Sequence, residues 1–538
     1  MRWLRCLPYA LLAPVLACYL AAVALPGAAT FHDDAIYYTL GEALAQGQGY
    51  NIVSLPRTLP ETKYPFLYPL LLAPFCRLLP EAPAGFPMLK AVTLLITIAW
   101  WYTLWLLLSK RGAGAGTFGW VLLFTAANPL WMYMAASILP DALFALLTTL
   151  ALICLERCES SGPERSRARR WALLAAAAGA GACLAKTVGA ALLAAGAASL
   201  LLRRRIREAL IFATVAALLC APWIWFQRTA ADAGDFIEGY YTKDSYARGH
   251  VLAGYDPGEQ AKILVQNAAF QVLSFQAVLQ VNAEVDSMVL PAILWILFLA
   301  GFLASARAPD SVILWVAAYT GVLMCWVWPP ARYQAPLFPF LVLFAIRGLQ
   351  RIVPGRLRLQ ACLGGLLAGV CLVYAGVGLA RAVRLSLDQE APAMDIRHEF
   401  DWSHATSLAR WICDHTAPTA VLSGNHDVLF HLLTGRKAIR SFRYQEYLLY
   451  YSSDPDVRPV GTEADLANHL RRHQVDYLVV TPSGFFRDDL YFQREFDRLW
   501  KAAPAAFGVV HRAPDPRYFV VRVDRVRLAD AIPPKPAV

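Results

Sequence analysis

Apolar segments alternate with short polar loops between residues 7 and 380 of the chain. A helix needs about 20 apolar residues to cross the hydrocarbon core of a bilayer. Eleven segments approach that length, the weakest being 171–185, 187–202 and 333–346. We therefore predict transmembrane helices near 7–25, 87–108, 118–135, 138–155, 171–185, 187–202, 208–226, 289–305, 311–328, 333–346 and 359–380.

The composition agrees with a membrane protein, because 58% of the residues are hydrophobic and only 16% are charged. Soluble globular chains carry about 25% charged residues. The net charge is +10, but the lysines and arginines lie in short loops between apolar segments. Membrane topology explains cations in such loops, so we expect no nucleic-acid partner.

The loop cations also predict how the helices are oriented. Lysine and arginine accumulate on the cytoplasmic side of membrane proteins, and a cytoplasmic N-terminus places the basic segments 165–170 and 203–207 on that side. An odd number of spans then places the C-terminus outside. Residues 1–29 resemble a signal peptide, but the many spans that follow favour an uncleaved first helix. We expect a multi-pass protein of a bacterial-type cytoplasmic membrane.

Two predicted outer loops, 26–86 and 227–288, are too long to be simple connectors, and long loops are often functional. Beyond residue 385, short strands near 420–423, 477–480, 507–511 and 518–523 alternate with amphipathic helices. Such alternation predicts a small α/β domain of about four strands. We divide the chain into a polytopic transmembrane domain, 1–385, and a soluble extracytoplasmic α/β domain, 386–538.

Three acidic residues lie where predicted helices meet the outer face of the membrane. Asp33 and Asp34 follow the first span, and Asp141 opens the fourth helix after Pro140. Adjacent carboxylates repel one another and are costly to desolvate, and one of them could act as a general base. The structural alternative is an acidic turn that stabilises the start of a helix.

Three basic residues lie at the same predicted face. Lys63 precedes a Tyr/Pro-rich segment, Lys186 is the only charge in a long alanine-rich stretch, and Arg332 begins the tenth span. Each of them alone could be an interfacial anchor beside aromatic residues. Together, the acids and bases predict a site at one membrane face. Cations there would hold a lipid-linked phosphate and stabilise it as a leaving group, and a carboxylate would deprotonate an acceptor hydroxyl.

The segment Gly424-Asn425-His426-Asp427 also occurs in metallophosphoesterases, which combine it with further His and Asp motifs in a two-metal site. Those companions are not found here in a suitable order, so we interpret the segment as a loop after a strand. The eleven cysteines show neither a disulfide framework nor a CxxC metal pattern.

These motifs resemble the membrane-embedded C-type (GT-C) glycosyltransferases, in the bacterial branch related to protein O-mannosyltransferases and to the aminoarabinose transferase of lipid A. The segments that carry the resemblance are Asp33-Asp34, Lys63 to Pro69, Asp141, Lys186, Arg332-Tyr333-Gln334-Ala335-Pro336 and, in the tail, Thr434-Gly435-Arg436. Phe66 departs from the family, which often has a second proline there.

The resemblance implies an inverting transfer of a hexose or pentose from a polyprenyl-phosphate donor to a lipid, glycan or protein acceptor at the outer face of the membrane. It implies Asp33 as the base, with Asp34 and Asp141 as further catalytic candidates. The implied ligands of the donor phosphate are Lys63, Lys186 and Arg332. The candidates for lining the substrate are Tyr37, Tyr64 and Tyr333. The cofactor stays undecided, because some members of the family bind a divalent metal and others need none.

Two other function classes remain as alternatives. A multi-span transporter would show inverted repeats and charges near the bilayer midplane, whereas here the charges gather at helix ends and no repeat is seen. A non-enzymatic envelope assembly or sensor protein would use the outer domain to bind a partner. In that case Asp33, Lys186 and Arg332 would be replaceable without effect.

Overall fold

The computed structural model describes residues 3–25, 27, 32–79, 81–111, 113–161, 165–230, 238–242, 255–279, 289–326, 331–389, 400–441, 451, 462–482 and 489–533. In the first part of the chain the helices and strands are α1 Trp3–Ala24, α2 Asp33–Ala45, β1 Asn51–Ile52, β2 Leu59–Pro60, α3 Leu67–Leu78, α4 Phe86–Lys110, α5 Ala115–Ala126, α6 Pro129–Ala135, α7 Asp141–Glu159, α8 Arg165–Ala185, α9 Ala190–Leu202 and α10 Ile206–Thr229. They continue with α11 Glu238–Thr242, α12 Pro257–Leu279, α13 Val289–Ser305, α14 Ser311–Met324, α15 Ala331–Gln334, α16 Phe338–Ile352 and α17 Leu357–Gln389.

Each of the eleven apolar segments contains a helix. Within the described residues, five helices are long and apolar enough to cross a membrane by length and composition: Cys6–Ala24, Phe86–Lys110, Ile206–Thr229, Arg332–Ile352 and Arg358–Ala380. Shorter apolar helices pack among them. The chain is therefore a multi-pass membrane protein, and the helical part of the predicted fold class is confirmed.

One predicted span is broken in two. Helix α5 ends at Ala126, and α6 begins at Pro129 after Asn128, whose side-chain oxygen accepts the main-chain N–H of Leu130 at 2.9 Å. Proline suits the first position of a helix because it has no N–H to leave unpaired there. Apolar content alone gives no signal for this break, whereas the Asn-Pro pair does.

Helices α13 and α16 approach so closely that only glycine fits at their contact. A Cβ atom on Gly348 would lie 1.8 Å from the carbonyl oxygen of Leu297, and one on Gly301 would lie 1.9 Å from that of Phe344. Small residues at such crossings allow helices to pack through their backbones in a membrane. This contact fixes α16, which continues from the short helix that carries Arg332, against its neighbour.

The tail folds around a mixed sheet flanked by helices, which confirms the predicted α/β domain as part of the fold class. Its elements are α18 Trp402–His415, β3 Val421–Gly424, α19 Asp427–Thr434, β4 Lys437–Ile439, α20 Glu463–Arg472, β5 Tyr477–Val480, α21 Asp489–Ala502, β6 Phe507–Arg512, β7 Phe519–Val523 and α22 Arg525–Ala531. The strand order is β4-β3-β5-β7-β6, parallel between β4, β3 and β5 and antiparallel beyond. The described sheet has one strand more than predicted, since β4 is only three residues long.

The first long loop docks on the edge of this sheet. The main-chain N–H of Ala438 in β4 donates to the carbonyl of Ser54 at 2.9 Å, and Lys437 donates to the carbonyl of Val53. The hydroxyl of Thr62 donates to the carbonyl of Thr242 at 2.7 Å. The described parts of both loops therefore contact one another, and the first also contacts the tail domain.

Candidate active site

Four of the charged residues singled out in the sequence meet at the ends of separate helices. Asp33 is the first residue of α2 and Asp141 the first of α7, while Lys186 directly follows α8 and Arg332 belongs to α15. The two helix starts place carboxylates where the helix dipole favours negative charge. These four residues form a cluster, called here the charged cluster.

Arg332 joins the two carboxylates of the charged cluster. Its Nη1 lies 2.7 Å from Oδ2 of Asp33, and its Nη2 lies 2.9 Å from Oδ2 of Asp141. The planar guanidinium suits this double contact because its donors are held in a fixed fork. Arg332 thus contacts two residues that are far from it in the chain, Asp33 at a separation of 299 positions and Asp141 at a separation of 191.

Lys186 occupies the other side of Asp141. Its Nζ lies 2.7 Å from Oδ1 of Asp141 and 4.6 Å from the centre of the Tyr333 ring. The side chain of Asp141 is fully buried, and Arg332 and Lys186 are only 10% and 9% exposed. Burial of this kind is tolerated because every carboxylate oxygen of Asp141 faces a cation.

Tyrosines surround Asp33. The hydroxyl of Tyr64 donates to Oδ1 of Asp33 at 2.6 Å, and the ring of Tyr37 lies edge-on to the Tyr64 ring at 5.1 Å. The hydroxyl of Tyr319 donates to the carbonyl of Tyr333 at 2.8 Å and so supports the ring beside Lys186. A cavity opens at the charged cluster and is lined by Asp33, Tyr37, Tyr64, Pro65, Lys186, Thr187, Val188, Trp326, Arg332 and Tyr333.

Three predicted site residues, Asp34, Asp141 and Lys63, do not line this cavity, although Asp141 is bound to Lys186 and Arg332, which do. Asp34 is fully buried and points to another side of α2, within electrostatic reach of Lys90. Adjacent residues of a helix are rotated by about 100° from one another, and of these two only Asp33 lines the cavity. The ammonium of Lys63 lies 4.3 Å from the centre of the Tyr240 ring, at the contact with the tail domain.

Lys90 is a buried cation that the sequence analysis did not single out. Lys90 belongs to helix α4, and its Nζ donates to the carbonyls of Leu25 and of Gly27, the latter at 2.9 Å. These carbonyls follow the end of α1 and would otherwise lack helical partners. The signal that could have found it is a single lysine in the otherwise uncharged segment 87–108.

A buried carboxylate in the first loop is the other charge near the site that the sequence analysis passed over. Oε1 of Glu61 accepts the main-chain N–H groups of Lys63 and Tyr64 at 2.5 and 2.9 Å. Burial raises the pKa of Glu61 to about 7, although these two hydrogen bonds and the charge of Lys63 oppose the rise. Glu61 therefore titrates near neutral pH in the folded protein.

We expect Glu61 to make the folded state less stable as the pH rises. Between the unfolded pKa of about 4.3 and the folded pKa of about 7, the folded state holds a proton that the unfolded chain has lost. Stability is fully present below the unfolded value and is lost as the pH rises through the folded value. The apparent unfolding midpoint in detergent should fall between about pH 5 and about pH 8, and less steeply in Glu61→Gln.

Glutamine keeps the accepting Oε1, so Glu61→Gln removes the titration and leaves both hydrogen bonds possible. Glu81→Gln, a change at an exposed carboxylate of the same loop, is the matched control and should follow the wild-type curve. Parallel curves for the wild type and Glu61→Gln would contradict the prediction.

An apolar cleft runs along α16. Residues of α16 on one face line it together with residues from α5, α13 and α17, including Phe338, Val342, Ile346, Trp120, Phe124, Leu294 and Cys371. Phe338 lies six residues beyond Arg332, or about 9 Å along a helix at ~1.5 Å per residue. A polar pocket and an apolar cleft are therefore joined by one helical segment.

The described residues contain no group of three or more His, Cys, Asp or Glu side chains placed to hold a metal ion. The carboxylates of the charged cluster already face Arg332 and Lys186. Two cations and two carboxylates thus meet beside tyrosine rings.

Solved structures with the same fold exist, although no protein-family model and no curated protein sequence match the chain. The structure of ArnT from Cupriavidus metallidurans bound to undecaprenyl phosphate superposes with a TM-score of 0.56 at 16% identity, covering 98% of this chain and 99% of that one. The same protein in the apo state gives a TM-score of 0.54 at 16% identity, with the same coverage.

A second similar structure comes from an archaeon. The oligosaccharyltransferase of Archaeoglobus fulgidus tethered to an acceptor peptide gives a TM-score of 0.50 at 12% identity, covering 96% of this chain and 74% of that one. Identities this low show a shared fold and leave the activity to be argued from the site. The superposition covers the helical bundle and the tail domain alike.

Proposed function

Proceeding from the GT-C fold of this chain, we propose that it is a membrane glycosyltransferase, which moves a sugar from a polyprenyl-phosphate donor to an acceptor hydroxyl. The observation that carries the proposal is the charged cluster, in which Lys186 and Arg332 meet the carboxylates of Asp33 and Asp141. The helical segment that begins at Arg332 also lines an apolar cleft. A lipid-linked phosphosugar needs these features together. A transporter or an assembly protein has no need for them in this arrangement.

Lys186 and Arg332 are the proposed ligands of the donor phosphate. A polyprenyl-phosphate sugar is a phosphodiester with one negative charge, and the phosphate gains a second as the bond to the sugar breaks. Cations placed beside the leaving group stabilise the transition state more than the ground state. Asp141 holds both cations in place from the far side, at 2.7 and 2.9 Å.

Asp33 is the proposed general base. It would take the proton of the acceptor hydroxyl as that oxygen bonds to the anomeric carbon, while the electron pair of the old bond leaves with the phosphate. Attack opposite the leaving phosphate gives inversion at that carbon. Each oxygen of Asp33 already accepts one hydrogen bond, from Tyr64 and from Arg332, and a carboxylate oxygen can accept a further one.

The apolar cleft along α16 is the proposed place for the polyprenyl tail. It begins about two turns of helix beyond Arg332, so that a phosphate at the charged cluster leaves its lipid chain beside Phe338 and Val342. ArnT, whose crystal structure contains undecaprenyl phosphate, supports a lipid of this class. We propose that the site faces the outside of the cytoplasmic membrane, as the loop cations predict.

The proposal is tested by transfer assays with a panel of radiolabelled polyprenyl-phosphate sugars, purified protein and a membrane extract as the source of acceptor. The wild type should transfer label from at least one donor. Lys186→Met should lower kcat/KM for that donor about 10²–10³-fold, the usual effect of removing one group that stabilises developing charge.

Lys501→Met is the matched control, because Lys501 is an exposed lysine of α21 in the tail domain and its loss should leave the rate unchanged. Wild-type protein that is folded and transfers none of the sugars would overturn the proposed function. Equal rates in Lys186→Met and the wild type would remove Lys186 from the phosphate site.

A further inference from the structure

Asp427, in the tail domain, contacts both long loops of the membrane domain. It is the first residue of α19, and its Oδ2 accepts the hydroxyl of Tyr241, from the second loop, at 2.6 Å. Its Oδ1 lies 3.6 Å from Nδ1 of His32, the residue of the first loop that directly precedes α2. Asp427 and His32 are 1% and 2% exposed, so this polar contact is shielded from water.

The second loop is held on the tail domain around the same point. The hydroxyl of Tyr241 accepts the main-chain N–H of Arg440 at 3.0 Å. The neighbouring ring of Tyr240 has the Arg440 guanidinium 5.0 Å from its centre and the Lys63 ammonium 4.3 Å from it. Asp427 is therefore part of a packed contact between the three segments and not a chance meeting of two side chains.

His32 has a backbone conformation that residues other than glycine rarely adopt. Its φ is 63° and its ψ is −49°, and such strain persists only where surrounding contacts impose it. The carbonyl of His32 accepts the first helical hydrogen bond of α2, from the N–H of Ile36 at 3.1 Å. The conformation of His32 thus determines how α2 begins, and the next residue is Asp33.

We propose that His32 and Asp427 are positioning residues for Asp33, through which the tail domain sets the place of the proposed base. The inference rests on the proposed function, because it assigns a purpose to the position of Asp33. It also gives a role to the segment Gly424-Asn425-His426-Asp427, whose resemblance to metal-binding motifs has no metal site to support it among the described residues.

The mechanical link is short. Asp427, held by the hydroxyl of Tyr241, packs against the side chain of His32 at 3.6 Å, a contact longer than a hydrogen bond. His32 adopts the strained turn, and the turn fixes the first residue of α2, whose carboxylate lies 2.7 Å from Arg332. Displacing a reacting group by about 1 Å can cost 10²-fold in rate. Release of His32 should therefore lower kcat, while Lys186 and Arg332 continue to bind the donor.

The test uses the full-length protein, the transfer assay and amide hydrogen exchange. Asp427→Ala and His32→Ala should lower kcat about tenfold to 10²-fold, with the KM for the polyprenyl-phosphate sugar within about twofold of the wild type. Exchange at the Ile36 amide and in peptides over 33–45 should become faster. Asp524→Ala is the matched control, since Asp524 caps α22 of the same domain and should change neither kcat nor exchange in 33–45.

Two further variants separate the contact from the strain. His32→Gly relieves the backbone but removes the side chain, and we expect it to be as slow as His32→Ala. His32→Asn tolerates a positive φ and keeps a polar donor, and it should recover part of the activity. Wild-type kcat in His32→Gly would overturn the proposal, as would unchanged exchange at Ile36 in Asp427→Ala.

The outcomes distinguish this inference from the proposed function. Wild-type protein without transfer activity would sink the proposed function, and exchange at Ile36 would still decide whether Asp427 holds the start of α2. If the wild type is active and Asp427→Ala has the same kcat and the same exchange at Ile36, the positioning role alone is wrong. Faster exchange throughout the strands of the tail domain in Asp427→Ala would also overturn it, since Asp427 would then stabilise its own domain.

Discussion

Replacing Asp33 with asparagine is expected to lower kcat about 10²–10⁴-fold, the usual contribution of a general base. The amide oxygen of asparagine can still accept a hydrogen bond from Arg332 or Tyr64, and the side chain keeps its size. The loss would therefore report the missing basicity more than a changed fold. The measurement is sugar transfer at saturating donor, with the KM for donor expected to stay within about twofold because Lys186 and Arg332 remain.

Glu42→Gln makes the same chemical change further along α2 and serves as the control. Its kcat should equal that of the wild type. Full activity in Asp33→Asn would exclude Asp33 as the base. Asp141→Asn would then be the next variant to measure, because Asp141 is the other carboxylate of the charged cluster.

The second large effect is on stability. Asp141→Leu should lower the free energy of unfolding by about 3–5 kcal/mol, the cost of leaving a buried charge without its partner. Lys186 would lose the carboxylate at 2.7 Å and Arg332 the one at 2.9 Å. Thermal inactivation of the purified protein and its unfolding midpoint in detergent would measure the loss.

A double variant tests the cause of that loss. In Asp141→Leu with Lys186→Met, apolar side chains replace the buried pair, and such replacement is often neutral or stabilising. We expect most of the stability to return without transfer activity. A double variant that is no more stable than Asp141→Leu alone would show that packing, and not the unpartnered lysine, causes the loss.

The helical part of the fold could be predicted because its signal is local. Each apolar segment contains a helix. Within these segments, Asn128 and Pro129 mark the break between α5 and α6, and Lys90 binds the carbonyls that follow α1. Strand β4 escaped prediction because three residues carry no alternation pattern. Its place in the sheet depends on pairing with β3 and on the loop carbonyl of Ser54, neither of which is local in sequence.

The sequence allowed us to predict which residues belong to the candidate site better than how they are arranged in it. Residue type and the common membrane face pointed to Asp33, Asp141, Lys186 and Arg332. Which of Asp33 and Asp34 lines the cavity could not be predicted, since that depends on how α2 packs against its neighbours. The contact of His32 with Asp427 joins residues of two domains, and no local pattern encodes it.

The apolar cleft along α16 has a wall, α17, with many side chains exposed on its outer side, where lipid would surround the bundle. A donor that enters there arrives sideways from the bilayer and not from the water. Its effective concentration is then a mole fraction among lipids, so adding inert lipid or micelles dilutes the substrate although the bulk molarity is unchanged. For the proposed transfer, kinetic constants are then two-dimensional quantities, comparable only at a fixed ratio of donor to amphiphile.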